Sequence, residues 1–128
     1  MSSRVAWLAG VISVAILLLG VRAFLDPVSA SVGFGLPIHT DGETAFVRIY
    51  GARTAFLGVV ALTFLVFRMV RPLTLLFALA TVLPLLDAVV IVSRVGVGHE
   101  LVRHAAILVV LAIASVSLWR STRSQTSG

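Results

Sequence analysis

Four apolar runs, each close to the length that crosses a lipid bilayer, constrain this chain more than any other feature of its sequence. They cover residues 5–25, 44–67, 72–93 and 101–119, and segments with turn-forming and helix-capping residues separate them. A helix needs about 20 mainly apolar residues to cross a hydrocarbon core of ~30 Å. The sequence therefore predicts an all-α fold, a four-helix transmembrane bundle that forms a single domain over residues 1–128.

Composition agrees with a membrane protein and excludes several other classes. Hydrophobic residues make up 59% of the chain and charged residues only 12%, against about 25% charged residues in soluble domains. The net charge of +5 does not indicate nucleic acid, because the arginines are scattered among apolar helices and form no basic stripe. Without cysteine, the chain has no thiolate nucleophile and no cysteine-based metal site.

The first apolar run has an alternative interpretation as a secretory signal peptide. It follows Arg4, and residues 28–30 (Val-Ser-Ala) resemble a cleavage site. Arg22 and Asp26 are unusual directly before such a site, so we expect a helix that is retained in the bundle.

Charges at the ends of the runs predict the orientation of the bundle. With four spans, both termini and the turn at residues 68–71 lie on one side. That side collects five arginines and no acid: Arg4, Arg68, Arg71, Arg120 and Arg123. The opposite side carries Asp26, Asp41, Glu43 and Glu100. The positive-inside rule then predicts a multi-pass protein in the bilayer with both termini in the cytoplasm.

Two ionisable residues fall well inside the predicted spans, namely Arg53 in the second and Asp87 in the third. A charged side chain at this depth costs roughly 2.5–3.5 kcal/mol on insertion scales and persists mainly with a partner or in a cavity. Their depths match, so we expect an ion pair between the two helices and take it as the primary site.

Two further side chains are expected to reach the same layer. Tyr50 shares a helix face with Arg53, and His104 enters the fourth run about one turn below its outer end. Pro84, one turn before Asp87, should kink the third helix because it cannot donate a hydrogen bond to the carbonyl of residue 80. We expect no metal and no cofactor, because His99, Glu100 and His104 do not share one helix face.

Two segments have less specific interpretations. Gly51, Ala55 and Gly58 form a small-residue face on the second helix, as expected for close helix packing. Residues 26–42 form a long connection, and both a lid over the outer mouth of the bundle and an ordinary interfacial loop fit its apolar composition.

Several short motifs resemble those of a family of small bacterial and fungal membrane proteins known only as a domain of unknown function, similar in layout to DoxX-like proteins. The motifs are Pro27, Phe34-Gly35, Pro37, Gly51-Ala52-Arg53, Gly58, Asp87 and His104. The resemblance covers nearly the whole chain. It implies a four-helix fold and groups Arg53, Asp87 and His104 as a set, but it implies no activity.

Three functions are compatible with these residues. The first is an enzyme or binding protein for a lipophilic small molecule, in which Asp87 would be the general base and Arg53 would orient it or stabilise negative charge. Tyr50 or His104 would be the general acid. Epoxide opening by water and isomerisation suit this set of residues. A proton-coupled carrier would resemble the small multidrug exporters, whose key acid lies in their first helix, unlike Asp87. A non-catalytic subunit of a membrane complex remains open, as does a homo-oligomer.

Overall fold

Within residues 1–123, the architecture is a bundle of six helical segments. A computed structural model describes residues 1–123, apart from the side chain of Glu100, and residues 124–128 of the predicted domain lie outside this range. The helices are α1 (Ser3–Leu25), α2 (Pro27–Phe34), α3 (Asp41–Val66), α4 (Val70–Ala80), α5 (Val82–Val95) and α6 (Glu100–Arg123). Within residues 1–123 there is no β-strand, so the all-α prediction is confirmed.

Four stretches of helix are long and apolar enough to cross a membrane, and each one contains or closely overlaps one of the predicted runs. They are Ser3–Leu25, Asp41–Val66, Val70–Val95 and Leu101–Arg123. The helices extend beyond the apolar runs where capping residues prolong them. Thr40 and Glu43, for example, form a capping box that starts α3 at Asp41, as their spacing predicts.

The long connection after the first span contains the short helix α2, a feature that its apolar composition did not reveal. Asp26 caps this helix by accepting a hydrogen bond from the Ser29 amide, and Pro27 occupies its first position. The Ser29 amide and hydroxyl, together with the charge on Arg22, hold the pKa of Asp26 below its usual range. Gly35, in the left-handed conformation, ends the helix.

The packing of α1 against α3 uses the small-residue face that the sequence predicts on α3. A Cβ on Gly51 would lie 2.5 Å from the Phe24 nitrogen, and one on Gly58 would lie 2.5 Å from the Leu17 nitrogen. On α1, Gly20 is equally restricted, because its Cβ would overlap the backbone of Ala55. The two backbones therefore meet directly, as expected for helices that associate in lipid.

The third span is interrupted between α4 and α5, one turn before Pro84, where the sequence predicts a kink. Its ring nitrogen cannot donate to the carbonyl of Ala80, and α4 ends at that residue. At the break, the Thr81 hydroxyl donates a hydrogen bond to the carbonyl of Ala78. The break lies near the middle of the span, at the depth of the candidate site.

The best-packed part of the bundle lies toward the end that carries the termini. Its buried residues come from α1, α3, α4 and α6: Ala9, Ile12, Ala61, Leu73, Phe77, Leu111, Ala114 and Leu118. This core is continuous across the four spans, and the space in the other half of the bundle begins directly above it.

Candidate intramembrane binding site

A cavity of about 300 Å³ lies in the half of the bundle away from the termini. Its walls are mostly apolar, and its floor is formed by Ala61, Phe77 and Leu111 of the packed core. The polar side chains on its walls are Tyr50, Arg53, Thr54, Asp87 and His104. An apolar pocket with a few convergent polar groups is the usual form of a small-molecule site.

All four residues that the sequence singles out line this cavity, although they come from three different spans. Tyr50 and Arg53 project from α3, Asp87 from α5 and His104 from α6. Their common depth along the bundle was readable from the sequence. Thr54 also lines the cavity and was not predicted, because a threonine in a long helix carries no signal of its own.

The predicted ion pair between Arg53 and Asp87 is not formed, and this expectation was wrong. No guanidinium nitrogen of Arg53 approaches the Asp87 carboxylate within the 4.0 Å limit for an ion pair. Asp87 instead shares the cavity wall with His104 and Tyr50. The position of a residue in the sequence predicts its depth in the membrane. The direction in which its side chain points around the helix axis depends on how the helices pack.

His104 is the most deeply buried polar residue of the cavity wall, with 2% of its surface exposed. Within residues 1–123, no hydrogen-bond partner reaches its Nε2 atom. Leaving such an atom unpaired costs about 1–3 kcal/mol, so buried polar groups without a partner are uncommon in native proteins. An unpaired imidazole nitrogen on the wall of a cavity that a carboxylate also lines is therefore a strong candidate for a group that acts on a ligand.

The end of α2 covers the outer side of the site. The Phe34 ring meets Tyr50 edge-on at 5.5 Å between centroids and lies 5.9 Å from the His104 ring. The Arg103 guanidinium of α6 donates a hydrogen bond to the carbonyl of Gly33. Of the two interpretations of the connection, the structure supports the lid, since α2 contacts two of the four predicted site residues.

Arg53 lines a second depression in addition to the cavity. It lies on a shallow groove of about 450 Å³ on the outer surface of α3, together with Ala52, Phe56 and Leu57. Arg53 and Leu57 also line the cavity. This residue therefore stands where the interior of the bundle meets the surface that faces lipid.

These features define the class of protein: a small multi-pass helical membrane protein with a mainly apolar cavity between its helices that a few polar side chains line. A family model described as "Domain of unknown function (DUF4267)" matches residues 13–118, and the chain belongs to this family. No curated protein and no solved structure shows significant similarity to it. These comparisons do not confirm the expected likeness in layout to DoxX-like proteins.

Proposed function

We propose that this protein binds a lipophilic small molecule inside the bilayer and performs acid–base chemistry on it. The observation that carries the proposal is the joint position of Asp87 and His104 on the wall of an otherwise apolar cavity. A molecule that dissolves in lipid would fill the apolar part, and its reacting polar group would meet the two side chains.

The proposed roles follow from the contacts of each group. Asp87 accepts a proton from the ligand, or from a water molecule that attacks it, and His104 or Tyr50 donates a proton to the ligand, because all three side chains line the same cavity. This arrangement suits an isomerisation or the opening of an epoxide. Arg53 does not orient Asp87 in this scheme, since the two residues do not pair.

Transport is less well supported than binding. A proton-coupled carrier needs a path that reaches both sides of the membrane, and the cavity ends on Ala61, Phe77 and Leu111 of the packed core. A scaffold protein would have a filled interior throughout, which the cavity argues against. The proposal includes cytoplasmic termini, as the positive-inside rule predicts.

Occupancy of the cavity can be tested without knowing the ligand. Ala80→Leu places a larger side chain in the cavity, and Ala105→Leu makes the same change at an exposed position on α6. Each variant and the wild type are purified in discs of native lipid, and the molecules extracted by organic solvent are compared by mass spectrometry. We expect a lipophilic compound that accompanies the wild type and Ala105→Leu but not Ala80→Leu.

The chemical role of the acid is tested by Asp87→Asn, which keeps the size of the side chain. The expected variant is folded, by circular dichroism and thermal unfolding, but no longer transforms the compound recovered with the wild type. Identical extracts from all variants would contradict the binding proposal. Loss of folding in Asp87→Asn would identify the acid as structural.

A further inference from the structure

Arg53 lies at the midpoint of α3, the least favourable depth for a charge in a membrane. About 15 Å of hydrocarbon separates the middle of a span from either interface, which is farther than an arginine side chain extends. Snorkelling to the headgroups therefore cannot relieve the cost of the guanidinium, about 2.5–3.5 kcal/mol on insertion scales.

Among the carboxylates whose side chains the structure describes, none forms an ion pair with Arg53. Asp87 is nearest in depth and lines the same cavity, but the two groups do not pair. The other acids whose side chains the structure describes, namely Asp26, Asp41 and Glu43, lie at helix starts or caps. The side chain of Arg53 is nevertheless exposed and faces both the cavity and the lateral groove.

From this position we infer that the ligand itself supplies the counter-ion of Arg53: the bound molecule is an amphiphile with an oxyanion headgroup and an apolar tail. The inference rests on the proposed function and specifies the class of ligand. A guanidinium binds a carboxylate or a phosphate through two parallel hydrogen bonds, and such charge-assisted bonds are stronger than neutral ones.

The surroundings of Arg53 fit such a molecule. The headgroup would rest on the guanidinium at the boundary between groove and cavity, and the tail would lie along the apolar wall toward Phe77 and Leu111. A cavity of about 300 Å³ is at the lower limit for small-molecule sites, so it suits a tail of medium length. The lateral groove shares Arg53 and Leu57 with the cavity wall and includes no residue of α2.

The test compares an acid with its neutral ester. Wild-type protein in discs of neutral phosphatidylcholine is titrated with decanoate, with methyl decanoate and with decyl phosphate. The same titrations are made on Arg53→Gln and on Arg48→Gln, which removes an exposed arginine of the same helix that does not line the cavity. Light scattering records the oligomeric state of each sample.

We expect wild type and Arg48→Gln to bind decanoate or decyl phosphate at least about tenfold more tightly than the ester, a difference of about 1.4 kcal/mol. Arg53→Gln should lose this preference and keep the affinity for the ester. Whichever of decanoate and decyl phosphate the wild type binds more tightly identifies the headgroup as carboxylate or phosphate.

Three outcomes would overturn the inference in distinguishable ways. Equal binding of acid and ester by the wild type would contradict the role of Arg53 as a partner of the headgroup, but it would still agree with a lipophilic binding site. An unchanged preference in Arg53→Gln, with dissociation of a dimer, assigns the counter-ion to a second copy of the chain. Binding of neither acid nor ester contradicts the proposed function as well.

Discussion

Individual side chains define the chemistry of the candidate site, and His104 is the most informative of them. Its Nε2 has no hydrogen-bond partner within residues 1–123, so replacing the imidazole with an apolar side chain of similar size should sacrifice no hydrogen bond there. In an Asp87→Asn background, where no carboxylate is left unpaired, we expect His104→Leu to unfold at the same or a higher temperature than Asp87→Asn alone.

Thermal unfolding in detergent checks this prediction, with circular dichroism as the measurement. A decrease in stability of more than about 1 kcal/mol would show that the imidazole contributes to folding through a contact that the geometry does not reveal. Retained stability together with lost ligand recovery would separate function from fold at this residue.

Asp26 gives a pH-dependent prediction at the same scale. Its pKa is lowered in the folded protein by the Ser29 amide and hydroxyl and by Arg22, so its contribution to α2 is complete above the unfolded-state pKa, near 3.8. The contribution is lost as pH falls through the folded-state value. Hydrogen exchange in α2 should therefore be faster in Asp26→Ala than in wild type at neutral pH, and this difference should disappear in strong acid.

Among the helices, the break between α4 and α5 has a local cause that the sequence contains. Pro84→Ala restores the donor to the Ala80 carbonyl, so we expect a continuous third span and slower hydrogen exchange at residues 82–85. Pro72→Ala is the control, because the amide restored in the first turn of α4 has no carbonyl to bond within the helix. Unchanged exchange in Pro84→Ala would mean that packing, rather than the proline, breaks the helix.

The contact between α1 and α3 allows no side chain at its centre. Gly20→Ala should destabilise the bundle by about 1–3 kcal/mol, because the new methyl group meets the backbone of Ala55. Gly10→Ala on the same helix should be tolerated, since its Cβ would lie at an ordinary 3.4 Å from the Leu65 side chain. Equal stability of the two variants, measured by thermal unfolding, would contradict direct backbone contact.

For the whole molecule, the sequence predicts what depends on position along the chain. The four spans, the small-residue face at Gly51 and Gly58, and the break at Pro84 are local patterns, and the structure contains them. It does not contain the ion pair of Arg53 and Asp87, because residue number gives the depth of a side chain and not its direction. The contacts of the Phe34 ring with Tyr50 and His104 could not be predicted either, since they depend on how α2 packs over these residues.

Orientation in the membrane is a property of the whole chain and follows from its segregated charge. Five arginines and no acid lie at the end of the bundle that holds the N-terminus and the turn around Met69. The natural absence of cysteine makes single-cysteine labelling unambiguous. In intact cells, a membrane-impermeant maleimide should label His39→Cys and Val97→Cys, whereas Ser2→Cys and Met69→Cys should react only after permeabilisation.

The same four variants separate errors in topology from errors in orientation. Reversal of the complete pattern would leave the four-span bundle intact and invert it, which would contradict the positive-inside assignment alone. If Ser2→Cys and Met69→Cys reacted from opposite sides, the number of spans before the turn would be wrong. In that case α1 and α3 could not cross the bilayer side by side. The groove beside Arg53 would then no longer face the lipid from which its ligand is proposed to enter.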